Sequence, residues 1–231
     1  MINLMTLELK KYKIRKNVFI AWICNMVTIG FVALVYYTAN NPKEQAFGSY
    51  EELIAVAGTF INVIFIVFAG VLLSKFIIDE YRDKTIYLMF TYPVNRKKLI
   101  LSKLLIIGIF TFCLTFLSYF FVVFAVYLIF LLTNTTLGEF NTHVLYVLAT
   151  QAFIGGIVNT MVGLIPLYIA MKKKSVTMTI ICSVLIGGIL NSNSGGFTLY
   201  SIIIIPMCLS LVGALVIYYA IKDIDMKDLN V

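Results

Sequence analysis

Apolar residues occupy this chain in long runs separated by short polar breaks, and the runs have the length that a bilayer demands. A hydrocarbon core about 30 Å thick is crossed by roughly 20 apolar residues in helical form. Six runs are read as spans: Val18 to Ala39, about Leu53 to Ile78, about Leu104 to Leu132, about His143 to Met171, Ser175 to Leu190, and about Leu199 to Ile221. The fifth is the short one, since its 16 residues reach only about 24 Å at the helical rise. The NSNSGG segment after it, Asn191 to Gly196, is therefore expected at some depth in the outer leaflet. It is tolerable there only if its backbone is shielded by protein or faces a water-filled recess. Pro166 is expected to kink the fourth span.

The polar breaks complete the outline. Met1 to Asn17 mixes Lys10, Lys11, Lys13, Arg15 and Lys16 with Ile2, Met5, Leu9 and Tyr12. This is the composition of an amphipathic helix lying on the inner membrane surface, with lysine stems snorkelling to the headgroups. A signal peptide is the rival reading, but the following run is longer than the usual signal core and lacks a small-residue cleavage site. Asn40 to Glu52 is a loop with Lys43 against Glu44, Glu51 and Glu52. Residues 191–198 form a short outer loop, and residues 79–103 are the one long charged segment between spans.

Composition agrees with this outline. Of 231 residues, 61% are hydrophobic and 13% charged, with a mean hydropathy of +0.98, far from the balance of a soluble domain. The expected fold is an all-α integral membrane protein, a single transmembrane domain over residues 1–231. Open backbone cannot face lipid unsatisfied. An even number of spans puts both termini on one side, and 17 of the 18 basic residues fall on that side, only Lys43 lying opposite. The positive-inside rule places the termini and the central stretch in the cytoplasm. The same distribution accounts for the net charge of +7, so the basic patches are expected to meet anionic lipid headgroups, and nucleic acid is not an expected partner.

Candidate chemistry is sparse. Cys24, Cys113, Cys182 and Cys208 all lie in apolar runs without CxxC spacing, which supports neither a disulfide framework nor a metal site. The lone histidine, His143, sits at the outer rim of the fourth span, and no HExxH occurs. The span cores hold no Asp, Glu, Lys or Arg, Lys75 lying near an inner end where it can snorkel. That weighs against a pump with a charged internal relay. No GxxxxGK[ST] occurs either, so ATP, if used, is hydrolysed by another subunit.

The central stretch, DEYRDKTIYLMFTYPVNRKKLILSK from Asp79 to Lys103, carries the functional signal. Pro93 lacks an amide hydrogen and disfavours helix at Tyr92, separating a helix over roughly Arg82 to Thr91 from one restarting near Arg96. On the first, Ile86, Met89 and Phe90 recur at helical spacing beside Tyr87, an apolar face able to fill a partner's groove or to rest on the chain's own span ends. The stretch resembles the first cytoplasmic loop of permeases in the type-2 ATP-binding-cassette exporter family. There a glutamate, a threonine, a proline, an arginine and a lysine recur around a coupling helix, matched here by Glu80, Thr85, Pro93, Arg96 and Lys103. Family members often carry glycine before the threonine, where this chain has Lys84.

The resemblance implies that this segment, with Ile86, Met89 and Phe90 on its apolar face, engages a separate ATPase subunit, Glu80 steadying the loop against nearby basic residues. It also implies two permease copies, identical or related, in a bacterial cell membrane. ATP and Mg would be held on the partner, with no cofactor on this chain. Inside the membrane, Asn25, Thr28, Asn62, Gln151 and Asn159 are uncharged polar residues at bilayer depth; Asn25, Thr28 and Asn62 are candidates for a cavity lining, or they simply bond neighbouring helices. Ala152, Gly156 and Thr160, and likewise Ser183 and Gly187, form small-residue stripes suited to close helix packing. A cavity of this composition favours amphipathic substrates. Toxic or antimicrobial peptides rank first, as in related small permeases, with a lipid or hydrophobic drug second. The alternatives are a non-transporting membrane sensor or scaffold and an ion-coupled, sodium-type transporter.

Overall fold

A computed structural model of the chain describes residues 14–39, 49–82, 96–132, 141–173, 175–194, 197–198 and 204–226. Helix α1 spans Ile14–Ala39 and α2 Tyr50–Leu73. A π-helical turn, Ser74–Ile78, and a last α turn, α3 (Asp79–Arg82), continue α2 without a break. Then come α4 (Arg96–Leu132), α5 (Thr142–Gly163), α6 (Leu167–Lys173), α7 (Val176–Leu190) and α8 (Ile204–Met226). Among the described residues, four helical stretches are long and apolar enough to cross a membrane: Arg15–Thr38, Tyr50–Ile78, Lys97–Leu131 and Thr142–Lys173. Two shorter apolar helices, Val176–Leu190 and Ile204–Ala220, complete the set.

Local chemistry explains where these helices start and stop. Ser49, in extended backbone, accepts a hydrogen bond from the amide of Glu52 at 3.4 Å, and Glu51 and Glu52 place negative charge on the first turn of α2, as helix N-termini favour. Asn141 caps α5 through the Thr142 amide at 2.8 Å. Pro206 falls in the first turn of α8, where a missing amide hydrogen costs nothing. At Pro166 the fourth run is interrupted: α5 ends at Gly163, a turn intervenes, and α6 restarts at Leu167. The proline carbonyl still serves, accepting from the Ala170 amide at 2.9 Å. Beyond α7, Asn193–Ser194 and Phe197–Thr198 pair as a two-residue antiparallel hairpin, giving backbone partners to part of the expected outer loop.

Helix α2 is the centre of the bundle, packed against α1, α4, α5 and α7. Ile54, Ala57, Ile61, Phe65 and Ala69 along it are wholly buried. Both small-residue stripes turn inward. Gly156 lets the Phe112 ring of α4 within 2.9 Å of where a Cβ would stand, and Thr160 lies hydroxyl to hydroxyl with Thr111 at 3.3 Å. Ser183 and Gly187 of α7 meet Gly70, Val63 and Ile66 of α2. Gly163 sits directly against the Cβ of Ala69. Gly163→Ala is therefore expected to lower stability by about 1–3 kcal/mol through overpacking, read as a lower unfolding midpoint in detergent. Gly188→Ala, with no atom within 4 Å of the new methyl group, should show no loss.

Candidate functional site

The charged segment joins the bundle through the last turns of α2 and the first turns of α4. In the π turn the Asp79 amide donates to the Ser74 carbonyl, five residues back. A π turn holds more residues than an α turn, so everything after it is carried around the helix axis. Lys75, within the turn, donates from Nζ to Oδ1 of Asn17 on α1 at 2.8 Å, and Asn17 is buried at 2% exposure. Glu80, just past the turn, faces α4 and forms an ion pair with Lys103, whose Nζ also donates to the Phe76 carbonyl at 3.3 Å.

This pair is buried, the Lys103 and Glu80 side chains being 1% and 6% exposed. Removing two charges from water costs several kcal/mol each, which close approach and additional hydrogen bonds must offset. Here the ion pair and the Phe76 carbonyl supply those partners. The result is a polar clamp across the base of the loop, joining α3 to the second turn of α4. By contrast the Arg82–Asp79 pair at 3.5 Å is exposed, 60% and 37%, and contributes little.

The structure thus brings together two of the five residues that carry the resemblance, Glu80 and Lys103. Arg96 opens α4. Thr85, Ile86, Met89, Phe90 and Pro93 lie outside the described residues, as does Lys84, and so does most of the expected interfacial helix, residues 1–13. Residues 14–17 continue directly into α1, with Arg15 and Lys16 exposed. The link between Lys75 and Asn17 was not anticipated from the sequence. Its signal was an asparagine ending the basic segment and a lysine ending an apolar span, two residues with no shared local motif.

Deeper in the bundle, Asn62 is 2% exposed and accepts two hydrogen bonds, from Tyr119 Oη at 2.9 Å and Asn159 Nδ2 at 2.8 Å. Gly58 and Gly155 make room for the phenol, a Cβ at Gly155 falling 3.0 Å from its oxygen. The three side chains tie α2, α4 and α5 at one level. Thr28, fully buried, donates back to the Cys24 carbonyl at 2.8 Å. Asn25, on α1 one turn before Ile29, is 8% exposed, and its Oδ1 has no hydrogen-bond partner among the described residues. At the end of the bundle where α5 begins, His143 Nδ1 lies 2.9 Å from Glu51 Oε1, both side chains exposed. Among the described residues no three His, Cys, Asp or Glu side chains group as metal ligands.

The sequence pattern of the ABC-2 family transporter proteins matches residues 4–191, most of the chain. The chain belongs to the ABC-2 transporter family. It is also 34% identical over 227 residues to "Uncharacterized protein YcbO" of Bacillus subtilis (strain 168), covering 98% of this chain and 100% of that protein. No solved structure matches it. Membership makes the chain the transmembrane component of an ATP-binding-cassette transporter, a multi-pass membrane subunit that works with an ABC ATPase and is not itself the catalyst.

Proposed function

We propose that the chain is the six-span permease subunit of an ATP-driven exporter, with both termini and the segment 79–103 on the cytoplasmic side of a bacterial cell membrane. The observation that carries this reading is the buried Glu80–Lys103 pair, which gives the segment a rigid base on two central helices. A load applied to the segment by an ATPase then reaches α2 and α4 together. Ile86, Met89 and Phe90 form the docking face, with Thr85, Pro93 and Arg96 shaping the turn. ATP and Mg sit on the ATPase, and two permease copies rock between inward and outward states. Asn62, together with Asn25 and Thr28 of α1, comes to border the substrate path when the helices separate. An apolar bundle with scattered amides and hydroxyls suits an amphipathic peptide of the toxic or antimicrobial kind ahead of a lipid or hydrophobic drug.

The test is affinity purification of the tagged chain from its own membranes, in mild detergent, with identification of co-purifying chains and an ATPase assay. Wild type should bring down a chain with a phosphate-cradling Walker loop, and Met89→Asp should lose it by placing a carboxylate in an apolar contact. A complex with no ATPase, or one that Met89→Asp leaves intact, would overturn the assignment of this face.

A further inference from the structure

We infer that Asp79 is an alternate partner for Lys103, and that the π turn at Ser74–Ile78 is the joint that selects which carboxylate, Asp79 or Glu80, faces the lysine. The part this joint plays in transport rests on the exporter reading; the joint itself needs only this chain. In the turn the Asp79 amide donates to the carbonyl five residues back, at Ser74, where an α-helix would use the one four residues back. One extra residue is thereby held in the helix. Glu80 consequently stands where Asp79 would stand in an uninterrupted α-helix.

Closing the turn to α geometry advances each later residue by one place, a rotation of about 100° with a rise of about 1.5 Å. Asp79 then takes the place of Glu80 against Lys103, and Glu80 turns away. Ile78, wholly buried, takes the place of Asp79, whose side chain is 37% exposed. A register step beside a buried lysine is ordinarily blocked, because a buried ion pair that loses one member is strongly destabilised. Two carboxylates in succession remove that obstacle, since the lysine meets one in either register. Lys103 also touches the joint itself, through the Phe76 carbonyl at 3.3 Å, and the start of the turn is anchored by Lys75 on Asn17 at 2.8 Å. Residues up to Lys75 therefore keep their place while those beyond turn. Asp79 gives up an exposed contact with Arg82 at 3.5 Å, which contributes little. The π register is the resting one, because it keeps Ile78 buried and offers Lys103 the longer carboxylate. In transport, an ATPase that binds the segment 79–103 more tightly in one register drives the step. The segment turns about the axis of α2 without being released from α4.

Two measurements on the purified full-length chain in mild detergent test this. The first is a double-mutant cycle on the unfolding midpoint. Asp79→Asn alone should shift the midpoint little, and Glu80→Gln should lower it moderately because Asp79 takes over. The double variant should lower it by about twice the sum of the single losses or more, the mark of coupled sites. A double variant no worse than that sum overturns the inference, as does a Glu80→Gln chain that fails to fold, since Asp79 has then not replaced the glutamate. The second measurement reads the register. With the four native cysteines replaced by alanine, Ile78→Cys should react slowly with a water-soluble maleimide. Adding Glu80→Gln should speed the reaction about tenfold, as the exposed register goes from a minor to the major population. Equal rates with and without Glu80→Gln would show a single register and overturn the joint; should Ile78→Cys not fold, the cycle decides alone. With the ATPase bound, ATP should raise the same rate. A rate that ATP leaves unchanged while hydrolysis proceeds would overturn the part of the joint in transport and leave the exporter reading intact. If no ATPase co-purifies, the exporter reading falls, and the two measurements on the chain alone still decide whether the joint exists.

Discussion

Lys103→Met is expected to destabilise the protein by about 3–5 kcal/mol, the usual cost of removing one member of a buried ion pair. The carboxylate of Glu80 would remain in a site only 5% exposed, and the loop base would lose its tie between α3 and α4. The expected measurements are a sharply lower unfolding midpoint in detergent and loss of the ATPase activity that co-purifies with wild type. Glu80→Leu combined with Lys103→Leu should restore most of the stability, because a well-packed apolar pair is commonly as stable as a buried ion pair. A single Lys103→Met protein with wild-type stability and wild-type ATPase coupling would show that the clamp is dispensable. Restored stability without restored coupling would locate the role of the pair in transmission and not in folding.

Asn62→Leu is expected to cost about 2–4 kcal/mol, since one carbonyl serves two buried donors and the cost of a donor left unsatisfied is about 1–3 kcal/mol. Hydrogen bonds between membrane helices average nearer 0.6 kcal/mol where the chain finds other partners. The lower end of the range applies if Tyr119 and Asn159 do so. Adding Asn159→Leu to the Asn62→Leu protein removes one stranded donor and should recover part of the loss. A double-mutant cycle on unfolding midpoints measures that recovery. Strict additivity would mean that the 2.8 Å contact between the two asparagines carries no coupling.

The positions of the helices were legible because each depends on neighbours in sequence. The helix restarting at Arg96, the interruption at Pro166 and the shortness of the fifth run appear in the structure where the residues put them. Glu80 and Lys103 could be singled out by resemblance, and Asn62 as an amide at bilayer depth. Their partners could not be read. Lys103 stands in an apolar stretch whose neighbours Leu99, Ile100 and Ile107 are buried, which marks a buried lysine but does not name its carboxylate. Asn62 meets Asn159 across 97 positions, a pairing with no local signature.

The order of residues is enough to make this a helical membrane protein, to place its apolar runs, to show which loop carries the charge and, through the match to the ABC-2 pattern, to name the kind of machine it serves. Which helix faces meet is settled by three-dimensional packing alone. The rotation of each helix about its axis comes from contact with several others at once, Gly163 on Ala69 and Gly156 under Phe112 among them. The π turn at Ser74–Ile78 then shifts the register of α3, which carries Glu80. A pair such as Glu80 and Lys103 exists only once those rotations are set, because burial makes the charges seek each other and packing determines whether they can.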